Sequence, residues 1–212
     1  MSDHQSSRAE VLATLTATGQ PFELVDSTVF GRDCRFFKNA PATLRDLYSD
    51  NASGLEFLVY EDERLTYAEA YSKSAQIAHL LIQQYGINKG DRVAISMRNY
   101  PEWVLSFMAV TSIGGIAVAM NSLWRPDEMA YGLIDSGAKV LLADEERLAR
   151  FAQIENTPEN TVDVQTIAIR TRAYPHRPEP SVLLEQKPNT QAALGRTDQR
   201  PPDATAATTE ST

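Results

Sequence analysis

The 212-residue sequence lacks several features on which common functions depend. Its one cysteine, Cys34, excludes an internal disulfide and a metal site built from several cysteines, and we interpret it as an ordinary loop or core thiol. Lysine and arginine number 20 against 28 aspartates and glutamates, a net charge of −8, and they form no basic stripe of the kind that phosphate backbones attract. Nucleic acid is therefore a poor candidate for a partner.

Long apolar runs are also scarce. The first 20 residues are polar and charged and contain no apolar core of a secretory signal, so we expect a cytoplasmic protein. The apolar stretch at residues 103–120 has 18 residues without a charge, which just reaches the length of a transmembrane helix. Gly114 and Gly115 interrupt it, and the spacing favours a buried helix before them and a strand after them. We therefore predict no transmembrane span.

Residues 172–212 are poor in the side chains that build a core. They hold six of the eleven prolines, one aromatic residue, and equal numbers of basic and acidic residues. The whole net charge therefore belongs to residues 1–171. Such a composition cannot bury enough apolar surface to order a chain. We predict an N-terminal arm at 1–40, a folded body at 41–171 and a disordered tail at 172–212.

The arm and the start of the body are predicted from local signals. A helix is expected at residues 8–18, followed by an irregular segment anchored by Phe30, Phe36 and Phe37. A second helix is predicted near Leu44, and residues 57–67 predict a hairpin with an acidic turn. Thr66 and Glu69 have the spacing of a capping box, which opens a long helix.

From Thr66 onward, helical and strand patterns alternate. Strands are predicted at residues 92–96, 115–120, 139–143 and 164–169, with helices between them, one of which begins at Pro101 and another at Pro126. Alternating helices and strands favour parallel pairing, because each crossover returns the chain to the same end of the sheet. The fold class is α/β, with a mostly parallel, partial sheet and flanking helices.

Ligands of such sheets gather at the carboxyl ends of the strands. Asn121, Ser122 and Trp124 follow the second strand of the sheet and have side chains that contact ligands in other proteins. The interpretation we favour is a polar turn with Trp124 packed on the domain. Asp144, Glu145 and Glu146 follow the third strand and suit Mg²⁺, but consecutive carboxylates also stabilise a helix N-terminus, and we favour that role.

Familiar catalytic motifs are missing. The sequence contains neither G-x-G-x-x-G after a strand nor G-x-x-x-x-G-K-[ST], the two common phosphate-binding loops. The three histidines, His4, His79 and His176, lie in distant segments, and no nucleophile stands at a defined spacing from any of them.

Five blocks of the body together resemble the start of the AMP-forming acyl-CoA synthetases, members of the adenylate-forming superfamily. Each block is weak alone, but their order and spacing match. They are residues 65–69 (LTYAE), 90–95 (GDRVAI), 99–103 (NYPEW), 114–118 (GGIAV) and 131–141 (YGLIDSGAKVL). The resemblance covers roughly residues 35–171 and identifies the body as part of the N-terminal AMP-dependent synthetase/ligase domain. Trp124 and the last block resemble the fatty-acid–CoA ligase branch.

The resemblance implies a chemistry for the full-length family. ATP and Mg²⁺ activate a small-molecule carboxylate to an acyl-adenylate, and the acyl group then passes to coenzyme A. The family's phosphate loop, adenine-binding segment, Mg²⁺-binding residues, ribose-binding aspartate, hinge and C-terminal lysine are not found in this chain. We therefore assign no catalytic, cofactor-binding or metal-ligating residue and expect no cofactor in this chain.

Three hypotheses stay open from the sequence. The chain is an N-terminal fragment of a synthetase, inactive alone, or a non-catalytic acyl-binding or interaction module that associates through an exposed sheet edge, for example with a full-length relative. The third is an unfolded product without function. The change of pattern after Thr171 is one that a shifted reading frame, alternative splicing or a faulty gene model would each produce.

Overall fold

A computed structural model of the chain describes residues 6–29, 31–157 and 161–171. The chain divides into two compact units, Met1–Asp50 and Asn51–Thr212. This division falls after Asp50, whereas we placed the end of the N-terminal arm at residue 40. The predicted disordered tail and the predicted anchor Phe30 lie outside the described residues.

The first unit contains two short helices and a hairpin. Helix α1 (Arg8–Leu15) is followed by strands β1 (Leu24–Val29) and β2 (Arg32–Phe37) and by helix α2 (Leu44–Asp50). The expectation of an irregular segment here was wrong, because β1 and β2 pair antiparallel over six residues each. Phe36 and Phe37 are exposed and do not anchor a core. Half of the residues in each strand are charged or hydroxyl-bearing and none in either strand is buried, so neither strand shows the apolar alternation that identifies a half-buried strand.

The second unit follows the predicted order of elements. Its antiparallel hairpin is β3 (Glu56–Tyr60) and β4 (Glu63–Thr66), and the first long helix is α3 (Tyr67–Gln83). The remaining elements alternate strand and helix: β5 (Arg92–Ser96), α4 (Pro101–Ser112), β6 (Ile116–Ala119), α5 (Pro126–Ser136), β7 (Val140–Asp144), α6 (Glu145–Phe151) and β8 (Gln165–Ile169).

Strands β5 to β8 form one parallel sheet in the order β6-β5-β7-β8. This confirms the predicted α/β class with a mostly parallel sheet. The two inner strands are buried on both faces, which explains their continuous apolar sequences. The apolar core lies on both sides of the sheet, since Val93 and Ile95 face one cluster of buried side chains and Ala94, between them, faces another.

Helices α3 and α4 cover the first face of the sheet, and α5 covers the second. Ile77, Leu81 and Leu105 pack with Val93, whereas Met129 and Leu133 of α5 pack with Ala94. Two other large side chains of α5 face away from this cluster, since Tyr131 is 69% exposed and Ile134 40% exposed.

Local signals at the helix ends act as predicted. The Thr66 hydroxyl accepts from the Glu69 N–H, and the Glu69 carboxylate accepts from the Thr66 N–H, which completes the capping box. Pro101 opens α4, and Gly137 closes α5 in the left-handed region at φ 62°. The uncharged run at 103–120 is divided between α4 and β6. Among the described residues, no helix is long and apolar enough to cross a membrane.

Candidate functional site

Three loops meet at the carboxyl edge of the parallel sheet, where ligands of this architecture bind. The loop after β5 carries Arg98 and Tyr100, the loop after β6 carries Ser122 and Trp124, and β7 ends at Asp144. Because the strands are parallel, these residues lie at one end of the sheet. Hydrogen bonds join all three loops.

Asp144 is at the centre of this polar network. Its side chain is buried, with the residue 3% exposed, and it is the N-cap of α6. One carboxylate oxygen accepts from the Arg147 N–H at 3.0 Å, and the other accepts from the Arg98 N–H at 2.9 Å. Asp144 therefore joins the end of β7 to the loop that follows β5.

Arg147 supplies the opposite charge. It is 2% exposed, and its Nη1 lies 3.2 Å from the carboxylate of Asp144 and 2.8 Å from that of Glu146. Its Nε donates to the carbonyl of Ser122 at 2.8 Å, which attaches the loop after β6. Arg150 donates to the same carbonyl at 2.9 Å and pairs with Glu146.

The network decides between the two interpretations of Asp144, Glu145 and Glu146. The helix-start role is confirmed, because Asp144 caps α6 and the other two residues lie in its first turn. The Asp144 carboxylate is already occupied by two backbone N–H groups and a guanidinium. In the part of the chain that the structure describes, no group of three or more His, Cys, Asp or Glu side chains is placed to hold a metal ion.

The loop after β6 also follows the interpretation we favoured. Asn121 accepts from the N–H of Leu123, and Ser122 uses its backbone carbonyl as an acceptor for two arginines. Trp124 packs against the cluster beneath α5 and covers Gly132. These contacts shape a turn.

Arg170 forms a second polar centre that sequence reasoning missed. It directly follows β8, and its Nη2 lies 2.7 Å from both carboxylate oxygens of Glu63. Its Nε donates to Glu102 at 2.8 Å. The guanidinium carbon lies 5.1 Å from the ring centre of Tyr60 and 5.0 Å from that of Tyr100. These partners are distant in sequence, so no local spacing could reveal the cluster.

The charges around Arg170 act on its protonation. Burial alone would lower its pKa, but the hydrogen bonds to Glu102 and Glu63 together outweigh burial and raise the pKa above the ordinary arginine value. Arg170 is therefore permanently cationic. The pKa of Tyr60 is raised as well, first by burial and then by the charge of Glu61, so this phenol stays neutral.

An apolar cavity of about 220 Å³ opens beside Arg170. Tyr60 and Tyr100, which flank the guanidinium, also line this cavity, together with Leu58, Val59, Asn99, Pro101, Trp103 and Val104. A second, more open cavity of about 600 Å³ lies along the β1–β2 hairpin in the first unit and includes Cys34. Cys34 is exposed on β2, not a core thiol.

Within the described ranges, His79 does not enter either polar centre. His79 is half-buried on α3, while His4 and His176 lie outside the described residues.

Comparisons with known proteins agree on one relationship. The sequence model of a family described as "AMP-binding enzyme" matches residues 49–209. A medium/long-chain-fatty-acid–CoA/3-oxocholest-4-en-26-oate–CoA ligase of Mycobacterium marinum is 34% identical over 112 residues, covering 53% of this chain and 20% of that protein. A medium/long-chain-fatty-acid–CoA ligase of Mycobacterium tuberculosis is 31% identical over 144 residues, covering 65% of this chain and 24% of that protein.

A solved structure described as a Mycobacterium tuberculosis fatty acyl CoA synthetase superposes with a TM-score of 0.55 at 27% identity, over 60% of this chain and 26% of that chain. The present chain thus spans about a fifth to a quarter of the length of these proteins. The family match includes residues 172–209, most of the segment that we predicted to lie outside the family.

Proposed function

The chain belongs to the AMP-binding enzyme family, and from this premise we propose that it is an N-terminal portion of an acyl-CoA synthetase. In the full-length enzyme, a small-molecule carboxylate would react with ATP to form an acyl-adenylate, and coenzyme A would then accept the acyl group. Mg²⁺ and ATP belong to that larger protein. We propose the cytoplasm as its location.

Similarity to fatty-acid–CoA ligases supports this assignment. Two relatives with medium- and long-chain fatty acids in their names align with 53% and 65% of the chain. The four-stranded parallel sheet and its helices supply the expected scaffold. The observation that carries the proposal is the family match over residues 49–209.

We propose further that the 212-residue chain does not catalyse adenylation alone. Adenylation requires cationic groups and backbone donors directed at the phosphates of ATP. At the carboxyl edge, the guanidinium groups of Arg147, Arg150 and Arg170 are occupied by carboxylates and backbone carbonyls. None of these three is arranged to hold a phosphate.

Assaying the purified chain for carboxylate-dependent release of pyrophosphate from ATP tests this proposal. The expected result is no release above a sample without the chain. Robust turnover would refute the claim of inactivity.

A second candidate function is association with a full-length relative through the free edge of β6. The N–H of Ile116 donates to the carbonyl of Asp91, directly before β5, at 2.8 Å, and the N–H of Met120 donates to that of Ile95 in β5 at 3.0 Å. Since successive residues of a strand alternate in direction, the N–H groups of Ala117 and Ala119 point to the side without a partner strand. Among the described strands, only β5 pairs with β6, and Ile116 is 47% exposed.

This alternative is tested by co-purification of the tagged chain with a full-length fatty-acid–CoA ligase. An Ile116→Lys variant places a charge at the edge and should abolish association. Equal recovery of the ligase with both forms, or no recovery with either, would reject the alternative.

A further inference from the structure

The side chains around Arg170 are two carboxylates and two aromatic rings, which are groups that bind a guanidinium cation. Two carboxylates, from Glu63 and Glu102, hold its nitrogens at 2.7 and 2.8 Å. Two aromatic rings, from Tyr60 and Tyr100, lie about equally far from its central carbon at 5.1 and 5.0 Å. These four side chains are here called the cage.

The four cage side chains come from elements other than β8. The rings of Tyr60 and Tyr100 contact each other edge to face, with centroids 5.5 Å apart. Tyr60 and Glu63 are placed by the β3–β4 hairpin, whereas Tyr100 and Glu102 are placed by the start of α4. Leu58 and Leu65 of the hairpin, and Tyr100 before α4, pack against the buried apolar cluster to which α3 and α4 contribute. The segments that carry the cage residues are therefore anchored by contacts of their own in the apolar core.

Charge and shape favour a guanidinium over an ammonium. The cage has two negative charges and its cation one, so the empty cage carries a net attraction for cations. A guanidinium is planar, presents several N–H donors in a fixed arrangement, and lies favourably against aromatic rings. An ammonium is a compact, strongly hydrated charge and fits two carboxylates and two rings less well.

The backbone of Arg170 indicates that the cage holds this residue firmly. Its φ of 48° lies in the left-handed region, which residues other than glycine rarely adopt. Such a conformation persists when surrounding contacts over-determine it. The side-chain contacts to Glu63, Glu102 and the two rings are contacts of that kind. They join the end of β8, an edge strand, to the hairpin and to α4.

We propose that Tyr60, Glu63, Tyr100 and Glu102 form a guanidinium-binding site that Arg170 fills as its resident ligand. The site fastens β8 to the rest of the second unit, and once emptied it binds a guanidinium from solution.

Chemical rescue of an Arg170→Ala variant of the full chain tests this proposal, with ethylguanidinium as the probe and thermal unfolding as the measurement. The variant should melt lower than the wild-type chain. Ethylguanidinium at ten times its dissociation constant should raise the melting temperature of the variant by about 3–6 °C. Ethylammonium and sodium chloride at the same ionic strength should give less than half of that rise.

Arg64→Ala is the matched control. Arg64 also lies on the hairpin and pairs with a glutamate, Glu56, at 3.5 Å, but it is not among the arginines that contact an aromatic ring. Ethylguanidinium should leave its melting temperature unchanged. Equal rescue of both variants, or equal rescue by ethylammonium, would overturn the proposal.

Arg170→Lys provides a second measurement if the alanine variant fails to fold. It keeps the charge and the long side chain but loses the planar donors. Amide hydrogen exchange of residues 167–169 should then be at least several-fold faster than in the wild-type chain, with exchange in β5 unchanged. Wild-type exchange rates in β8 of the lysine variant would contradict the proposal.

Discussion

The six-membered ring of Trp124 lies directly over Gly132 in the middle of α5. A β-carbon built on Gly132 would come within 2.6 Å of Cζ3 of Trp124 and within 3.2 Å of Cη2. The absence of a side chain at Gly132 is therefore what allows the loop after β6 to pack on the helix.

We predict that Gly132→Ala destabilises the chain. An alanine would gain about 1 kcal/mol of helix propensity, but the overlap with the indole requires a shift of packed atoms at a cost of about 1–3 kcal/mol. The expected net change is a loss of up to about 2 kcal/mol in the free energy of unfolding, measured by urea denaturation.

Repeating the Gly132→Ala substitution in a Trp124→Ala variant separates the gain in helix propensity from the overlap with the indole. With the indole removed, Gly132→Ala should be neutral or stabilising by a few tenths to about 1 kcal/mol. If the substitution costs as much without the indole as with it, contact with Trp124 is not the reason for the glycine.

A second prediction concerns the buried pair of Asp144 and Arg147. Asp144→Asn keeps an N-cap acceptor but removes the charge, which leaves Arg147 buried with one carboxylate fewer. We expect a loss of about 3 kcal/mol in the free energy of unfolding. Glu145→Gln, at an exposed position in the same helix, should change it by less than about 0.5 kcal/mol. If the two variants lose similar amounts of unfolding free energy, the buried pair of Asp144 and Arg147 does not stabilise the chain more than an exposed carboxylate does.

The third prediction concerns acid. The hydrogen bond from Lys139, at 2.7 Å, and that from the Asn88 N–H lower the pKa of Asp91, and the Thr66 N–H lowers that of Glu69. A carboxylate whose pKa is lower in the folded state stabilises that state at any pH above its ordinary pKa, which is 3.8 for Asp91 and 4.5 for Glu69. This stabilisation is lost as the pH falls through the lowered pKa of the folded state.

Chemical denaturation between pH 6 and pH 2 should therefore show stability falling below about pH 4.5. Lys139→Met removes the larger cause of the Asp91 shift and should make this fall less steep. An unchanged slope in that variant would mean that the ion pair between Asp91 and Lys139 does not form in solution.

Most helices and strands of the second unit could be predicted from the sequence, because the signals that define them are local. Pro101, Pro126 and Gly137 mark helix ends, the Thr66–Glu69 pair starts α3, and the apolar runs of β5 and β7 are typical of buried parallel strands. A capping box or a helix-initiating proline acts within one helical turn, so its effect on the helix start does not depend on tertiary contacts.

The remaining features depend on tertiary contacts. Arg170 meets Glu63 and Glu102 only after the sheet and the hairpin have assembled, and nothing in the neighbourhood of Arg170 in sequence announces these partners. The β1–β2 hairpin was missed for a different reason, because its strands bury little on either face and so lack the alternation that identifies a half-buried strand. The disorder of residues 172–212 stays a prediction, whereas the family match over residues 49–209 includes most of that segment, against the prediction that it lies outside the family.

The most direct test of the proposed function is ATP–pyrophosphate exchange by the purified 212-residue chain, with medium- and long-chain fatty acids as substrates. A full-length fatty-acid–CoA ligase serves as the positive control, and circular dichroism first establishes that the chain is folded. We predict exchange by the control and none by the chain with any fatty acid. Fatty-acid-dependent exchange by the folded chain alone would contradict the account.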